Sequence, residues 1–214
     1  DVEVGRQHRR PAEGNEGFIM VLGHYASAFL VKPYLPAAPF WLLLLAANLA
    51  EFLWLALALI GVEPTKPASI LDATFNNLDV HMTYSHNVVP NLALGLVVLV
   101  LVQLIWRNFK LALACAFLTC LHVWSDFIVG FQHELLGPDS MKIGLNSYGR
   151  FPYGAIMIEW AFALVCLTYF VLAGKKHGRV VPRKRLVLLY GGFTIGILSW
   201  LPNAYTPMRK LLGL

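Results

Sequence analysis

Read from its first residue, the chain passes from a polar stretch, Asp1 to Glu16, into a series of apolar runs separated by short polar breaks. The runs fall at about 17–31, 36–61, 87–106, 109–131, 153–173 and 185–206, and roughly 20 apolar residues carry a helix across a bilayer. This spacing predicts an all-α, polytopic transmembrane helix bundle of about six helices. A polar N-terminal segment over 1–16 then precedes one transmembrane helical domain over 17–214. The first run is short and stops at Lys32-Pro33, with Pro36 close behind, so a tilted, re-entrant or interfacial helix is expected there. The last run holds Gly191, Gly192, Gly196 and Pro202, which predicts a kink or an early end.

Composition agrees with the pattern. Of 214 residues, 57% are hydrophobic and 14% charged, where a soluble domain carries about 25% charged residues. A net charge of +5 raises the question of nucleic acid, but the basic residues gather in short loops between apolar runs, which sets nucleic-acid binding aside. Cys115, Cys120 and Cys166 all lie in apolar runs without CxxC spacing, and read as small core residues. No cleavable signal pattern is expected in so polar a start.

Charge also orients the helices. Arg107 and Lys110 sit between the third and fourth runs, and Lys175, Lys176, Arg179, Arg183, Lys184 and Arg185 between the fifth and sixth, so both connections are expected in the cytoplasm. The longer loops 62–86 and 132–152 then face the other side. A spanning first helix would put Arg6, Arg9 and Arg10 outside against the same rule, a conflict that a non-spanning first helix removes.

Polar residues inside the runs carry the candidate chemistry. His24, His81, His86, His122 and His133 share the apolar segments or their mouths with Glu51, Asp79, Asp126 and Glu159, and the six-helix topology places most of them at one depth, toward the outer ends. An ionisable group at membrane depth costs on the order of 2.5–3.5 kcal/mol, so the cluster asks for a function. His122 and Asp126 are an i, i+4 pair on one helix face, able to ligate one ion or simply to hydrogen-bond. The stretch Leu78 to His86 packs two imidazoles and a carboxylate before the third run, in a pattern a solvated loop would also explain. Glu51 near the middle of its run needs a proton, a cation or a metal. Glu159 reads equally as a helix-pairing group or as the partner of a ligand histidine, and His24 alone as a core histidine.

Gly23-His24-Tyr25, an acidic residue in the second run, Leu78-Asp79, His81, Tyr84-Ser85-His86, His122, Asp126, His133, Gly144-Leu145-Asn146 and Glu159 together resemble a family. It is that of the bacterial inner-membrane proteins called membrane-bound metal-dependent hydrolases (YdjM-like). The resemblance runs over about 23–172 and implies an inner-membrane protein with a hydrolase site, in which Ser85 and Asn146 support the ligands. The mixture of His and Asp is also similar to zinc-dependent phospholipase C, as an analogy.

The leading expectation is therefore a metal-dependent hydrolase open to the non-cytoplasmic side, holding one or two divalent ions. Zinc suits imidazole and carboxylate ligands, with manganese or iron next. His86, His122 and Asp126 are the expected ligands. His24, Glu51, His81 and His133 complete the set or bind a second ion, and Glu51 or Asp79 serves as general base. Membrane lipids surround the site, and a phospholipid or other phosphoester is the expected substrate. A haem- or ion-binding electron-transfer or transport subunit, and a non-catalytic small membrane subunit, are the alternatives.

Overall fold

The computed structural model describes residues 22–214 and is an all-α helical bundle. The polar segment 1–16 and the start of the first apolar run lie outside the described residues. A 3-10 turn, Leu22–Ser27, leads into one α-helical turn, Ala28–Val31 (α1), and these described residues of the first run make a short apolar helix. The turn that follows is fixed by Lys32, whose Nζ donates to the carbonyl oxygens of Pro36 and Ala38 at 3.1 and 2.7 Å.

The second run departs from its expected single helix. It forms Phe40–Ala47 (α2) and Leu49–Leu59 (α3), bent by 58° at Asn48. Asn48 has φ −126° and ψ 16°, outside helical values, and its Nδ2 reaches back to the Leu44 carbonyl at 3.4 Å. That local bond competes with the helical ladder, which is how Asn breaks helices.

Val88–Trp106 (α4) and Phe109–Val129 (α5) form an antiparallel hairpin through a two-residue connection. Arg107 takes a left-handed φ of 49° to end α4, and Asn108 Oδ1 accepts from Leu111 N at 3.1 Å to start α5. A short helix, Ser147–Arg150 (α6), precedes Pro152–Lys176 (α7), which opens on Pro at its first position. Arg183–Leu198 (α8) then stops, as its glycines suggest, and gives way to a 3-10 turn, Leu201–Ala204, and a final turn, Met208–Leu211 (α9).

Among the described residues four helices are long and apolar enough to cross a membrane, or five when the bent pair is taken as one span, so this is a membrane protein. Small residues line the packed face of α5, where Ala112, Cys115, Ala116 and Thr119 let α2 and α4 approach. The basic connections 107–110 and 175–185 share one end of the bundle, and the long loops share the other.

Both long loops contain structure that the sequence pattern did not predict. Thr65–Lys66 (β1) pairs antiparallel with Asp79–Val80 (β2), and His133–Glu134 (β3) with Lys142–Ile143 (β4). These two hairpins close the loop end of the bundle over a cluster of buried Phe75, Leu78, Tyr148, Ile156 and Ile197.

Candidate metal centre

Four separate segments deliver imidazoles and carboxylates to one point. His122 and Asp126 share a face of α5, with His122 Nε2 and Asp126 Oδ2 3.7 Å apart. Seven residues separate His122 from the end of α5 at Val129, so it lies about 10 Å below that end at 1.5 Å per residue. Glu51 enters from the first turn of α3, aimed by the break at Asn48. His86 stands just before α4, and His133 is carried back over the end of α5 by β3.

The donor atoms converge. His86 Nε2 and His122 Nε2 are 3.4 Å apart, and Asp126 Oδ2 lies 3.7 Å from His86 Nε2 and 3.9 Å from His133 Nε2. Glu51 Oε2 sits 3.5 Å from His86 Nε2 and 3.8 Å from His122 Nε2. Ligands about 2.0–2.1 Å from a four-coordinate ion stand about 3.3–3.4 Å from one another, so these spacings are those of an ion's cage with slight expansion. His86, His122 and Asp126, the ligand set expected from the sequence, are among the residues brought together.

Two of these imidazoles, those of His122 and His86, have Nδ1 occupied, which leaves Nε2 for an ion. His122 Nδ1 is 2.9 Å from the Ala47 carbonyl, an oxygen freed by the helix break, so Nδ1 carries the proton. The neighbouring carbonyl, Ala46, accepts from Thr119 Oγ1 at 3.1 Å. His86 Nδ1 is 2.9 Å from Ser85 Oγ. Ser85 Oγ in turn donates to Glu63 Oε2 at 2.6 Å, while Glu63 Oε1 accepts from Tyr84 N and Ser85 N at 2.5 and 3.1 Å.

The fit to a cation also rests on unsatisfied atoms. His24 Nε2, His133 Nε2 and Glu159 Oε2 are buried and make no hydrogen bond within the protein, and buried polar atoms are rarely left so. His133 Nε2 faces the cage, where a divalent ion would satisfy it and offset Glu51 and Asp126. Soft thiolates take no part: Cys115, Cys120 and Cys166 are free.

His24 and Glu159 form a second layer. His24 Nε2 lies 3.4 Å from Asp126 Oδ1 and 3.2 Å from Glu159 Oε1, and the latter accepts from Tyr148 OH at 2.5 Å. His24 Nδ1 is 3.1 Å from His122 Nδ1. His24 Nε2 is thus within 3.4 Å of both carboxylates and hydrogen-bonded to neither. With His122 and Asp126, His24 forms a group whose ligand atoms all lie within 4.8 Å of one another, close enough to hold an ion. Two glycines let the layers meet: a Cβ at Gly23 would stand 2.9 Å from Glu159 Oε2, and one at Gly130 would stand 2.7 Å from Asp126 Oδ1.

Three expected residues lie elsewhere. Asp79 and His81 are exposed, because the extended chain through β2 alternates: Leu78 and Met82 turn into the core and the odd positions turn out. Asn146 takes φ 54° and leads into α6, with its carbonyl accepting from Arg150 N at 3.0 Å, so its place is that turn. Ser85 is buried, with its Oγ 2.9 Å from His86 Nδ1. Glu63 and Tyr148 were not singled out by sequence reasoning, although both are buried beside the cluster.

Burial shapes the ionisation of the groups in the loops. It holds the His86 imidazole below 6.5, against the opposing pull of Glu51. It holds His133 well below the same value, helped by His86 and His122. Tyr148 is pushed well above 10.0 by burial and by Glu159, so it stays a hydroxyl donor. The cage opens into a cavity of about 50 Å³, room for a few waters at roughly 10–15 Å³ each. Trp54, Phe75, Leu78, Met82 and Phe131 supply its apolar wall.

Compared with family models, with curated proteins and with solved structures, the chain finds no match.

Proposed function

We propose that this protein is a membrane-embedded, metal-dependent hydrolase acting on a phospholipid or another lipid-linked ester, as its resemblance to the YdjM-like hydrolases implies. One observation carries the reading: His86 Nε2, His122 Nε2 and Asp126 Oδ2 stand 3.4–3.7 Å apart inside an apolar bundle, with His133 Nε2 unsatisfied beside them. His86, His122 and Asp126 hold the ion, and His133 closes one side. The donor set suits zinc, with manganese or iron next. A divalent ion there supplies an acidified water, with a pKa near about 7, and polarises the scissile oxygen.

The chain's own residues do the rest. Glu51 has 17% of its side chain exposed, against 9% for Asp126, and it lines the cavity. A carboxylate oxygen of Glu51 takes the proton as water oxygen attacks the carbonyl carbon or phosphorus, and returns it to the leaving alkoxide. The site's depth of about 10 Å lets a lipid-borne ester reach it from within the bilayer. The basic connections at the opposite end favour a site facing the non-cytoplasmic side. A haem reading has less support, since Glu51 Oε2 and Asp126 Oδ2 crowd the gap a macrocycle would need.

The test is hydrolysis of phospholipid and neutral-ester vesicles by purified protein with added zinc, alongside His122→Ala and Asp126→Ala. Activity in the wild type, lost in both variants and on chelation, supports the proposal. Equal background release in all three removes it.

A further inference from the structure

The buried carboxylate of Glu63 takes no part in the cage, yet every hydrogen bond it accepts comes from Tyr84 or Ser85, the two residues before His86. It is 1% exposed, held in the loop just beyond α3 and ahead of β1. Its Oε1 accepts from the backbone of Tyr84 and Ser85, and its Oε2 takes the one hydroxyl proton of Ser85 at 2.6 Å. A hydroxyl has a single proton to give. With that proton committed to Glu63, Ser85 Oγ can meet His86 Nδ1, 2.9 Å away, only as an acceptor.

We infer that Glu63 is a positioning residue that acts through Ser85 to lock His86 in its Nδ1–H tautomer, leaving Nε2 free for the ion. The inference rests on the metal reading above and adds a member to it. The lock is needed because Ser85 alone is indifferent. A serine hydroxyl free to rotate donates to His86 Nδ1 as readily as it accepts, and in the donating arrangement Nε2 carries the proton and no ion binds. The anion decides between the two. His122 needs no such device, because the Ala47 carbonyl can only accept.

Glu63→Gln isolates this role. The amide oxygen still accepts from Tyr84 N and Ser85 N, so the loop closes as before, but the amide nitrogen now donates to Ser85 Oγ and frees its proton for His86 Nδ1. Two readouts follow, both on full-length protein in detergent, with thermal melts to verify folding. Chelator competition with zinc should show binding weakened by about 10–100-fold in Glu63→Gln. Nitrogen-15 NMR of histidine-labelled, metal-free protein should show His86 protonated at Nδ1 in the wild type and at Nε2 in Glu63→Gln. Ser85→Ala should weaken zinc without imposing the Nε2–H form. A wild type with His86 protonated at Nε2, or a folded Glu63→Gln with unchanged tautomer and zinc affinity, overturns the inference. Should the wild type bind no zinc at all, the metal reading falls, while the NMR comparison still decides whether Glu63 sets the tautomer.

Discussion

His122 Nδ1 meets the carbonyl oxygen of Ala47 at 2.9 Å, and that oxygen is available because the helix carrying it ends one residue later, at Asn48. A continuous helix would commit it to the amide four residues on. The break therefore does two things at once: it orients the His122 ring, and it turns Glu51 toward the same point. Asn48→Ala, which removes the competing side-chain bond and favours helix, should weaken zinc binding by about 10–100-fold as a supporting contact is lost. Chelator competition on the purified variant checks this, and unchanged affinity would detach the break from the site.

Close approach makes a second prediction. A Cβ at Gly130 would lie 2.7 Å from Asp126 Oδ1 and one at Gly23 2.9 Å from Glu159 Oε2. Each alanine variant should lower stability by about 1–3 kcal/mol through overpacking. Gly130→Ala, next to a ligand, should also reduce bound metal. Gly23→Ala should leave the metal content nearer to wild type. Thermal melts paired with elemental analysis separate the two effects.

Glu51 and Asp126 are both carboxylates of the cage, but the proposal gives them different work. Glu51→Gln should retain the ion and lose hydrolysis, by about 10²–10⁴-fold for a general base. Asp126→Asn should lose the ion and with it the activity. Metal content and turnover measured on the same preparations test the division; an ion lost equally from both variants would make Glu51 a ligand instead.

The loop histidines set a pH dependence. His86 and His133 have folded values held below 6.5 by burial, so the unfolded chain takes up protons at a higher pH than the folded one. Stability is therefore full above about pH 6.5 and declines as the pH falls through the folded values. Melting of chelator-treated protein should drop between about pH 7.5 and about pH 5, and less so in His133→Ala. A flat profile would mean that these imidazoles are not buried in solution.

Much of this was legible in the chain because membrane burial makes polar residues conspicuous. His122 and Asp126 declared themselves by helical spacing, and Glu51 by standing alone in an apolar run. Alternation in Leu78-Asp79-Val80-His81-Met82 was also present, and an extended reading would have turned Asp79 and His81 outward. Glu63 was out of reach: in sequence it is a loop carboxylate beside Pro64, and its burial depends on β1 and β2 pairing across the intervening residues. The break at Asn48 was hidden for a similar reason, since one Asn within a long apolar run does not by itself end a helix. Tyr148 is held by contacts with Glu159 and Phe75 from distant segments, which no local pattern encodes.

The central claim is that four segments of this bundle meet around one divalent ion. Elemental analysis of the purified wild type beside His86→Ala, His122→Ala and Asp126→Ala tests it most directly. The account predicts close to one zinc or similar ion per wild-type chain and almost none in the three folded variants. A wild type free of metal after purification in zinc-supplemented buffer, or variants that keep the full complement, would contradict it.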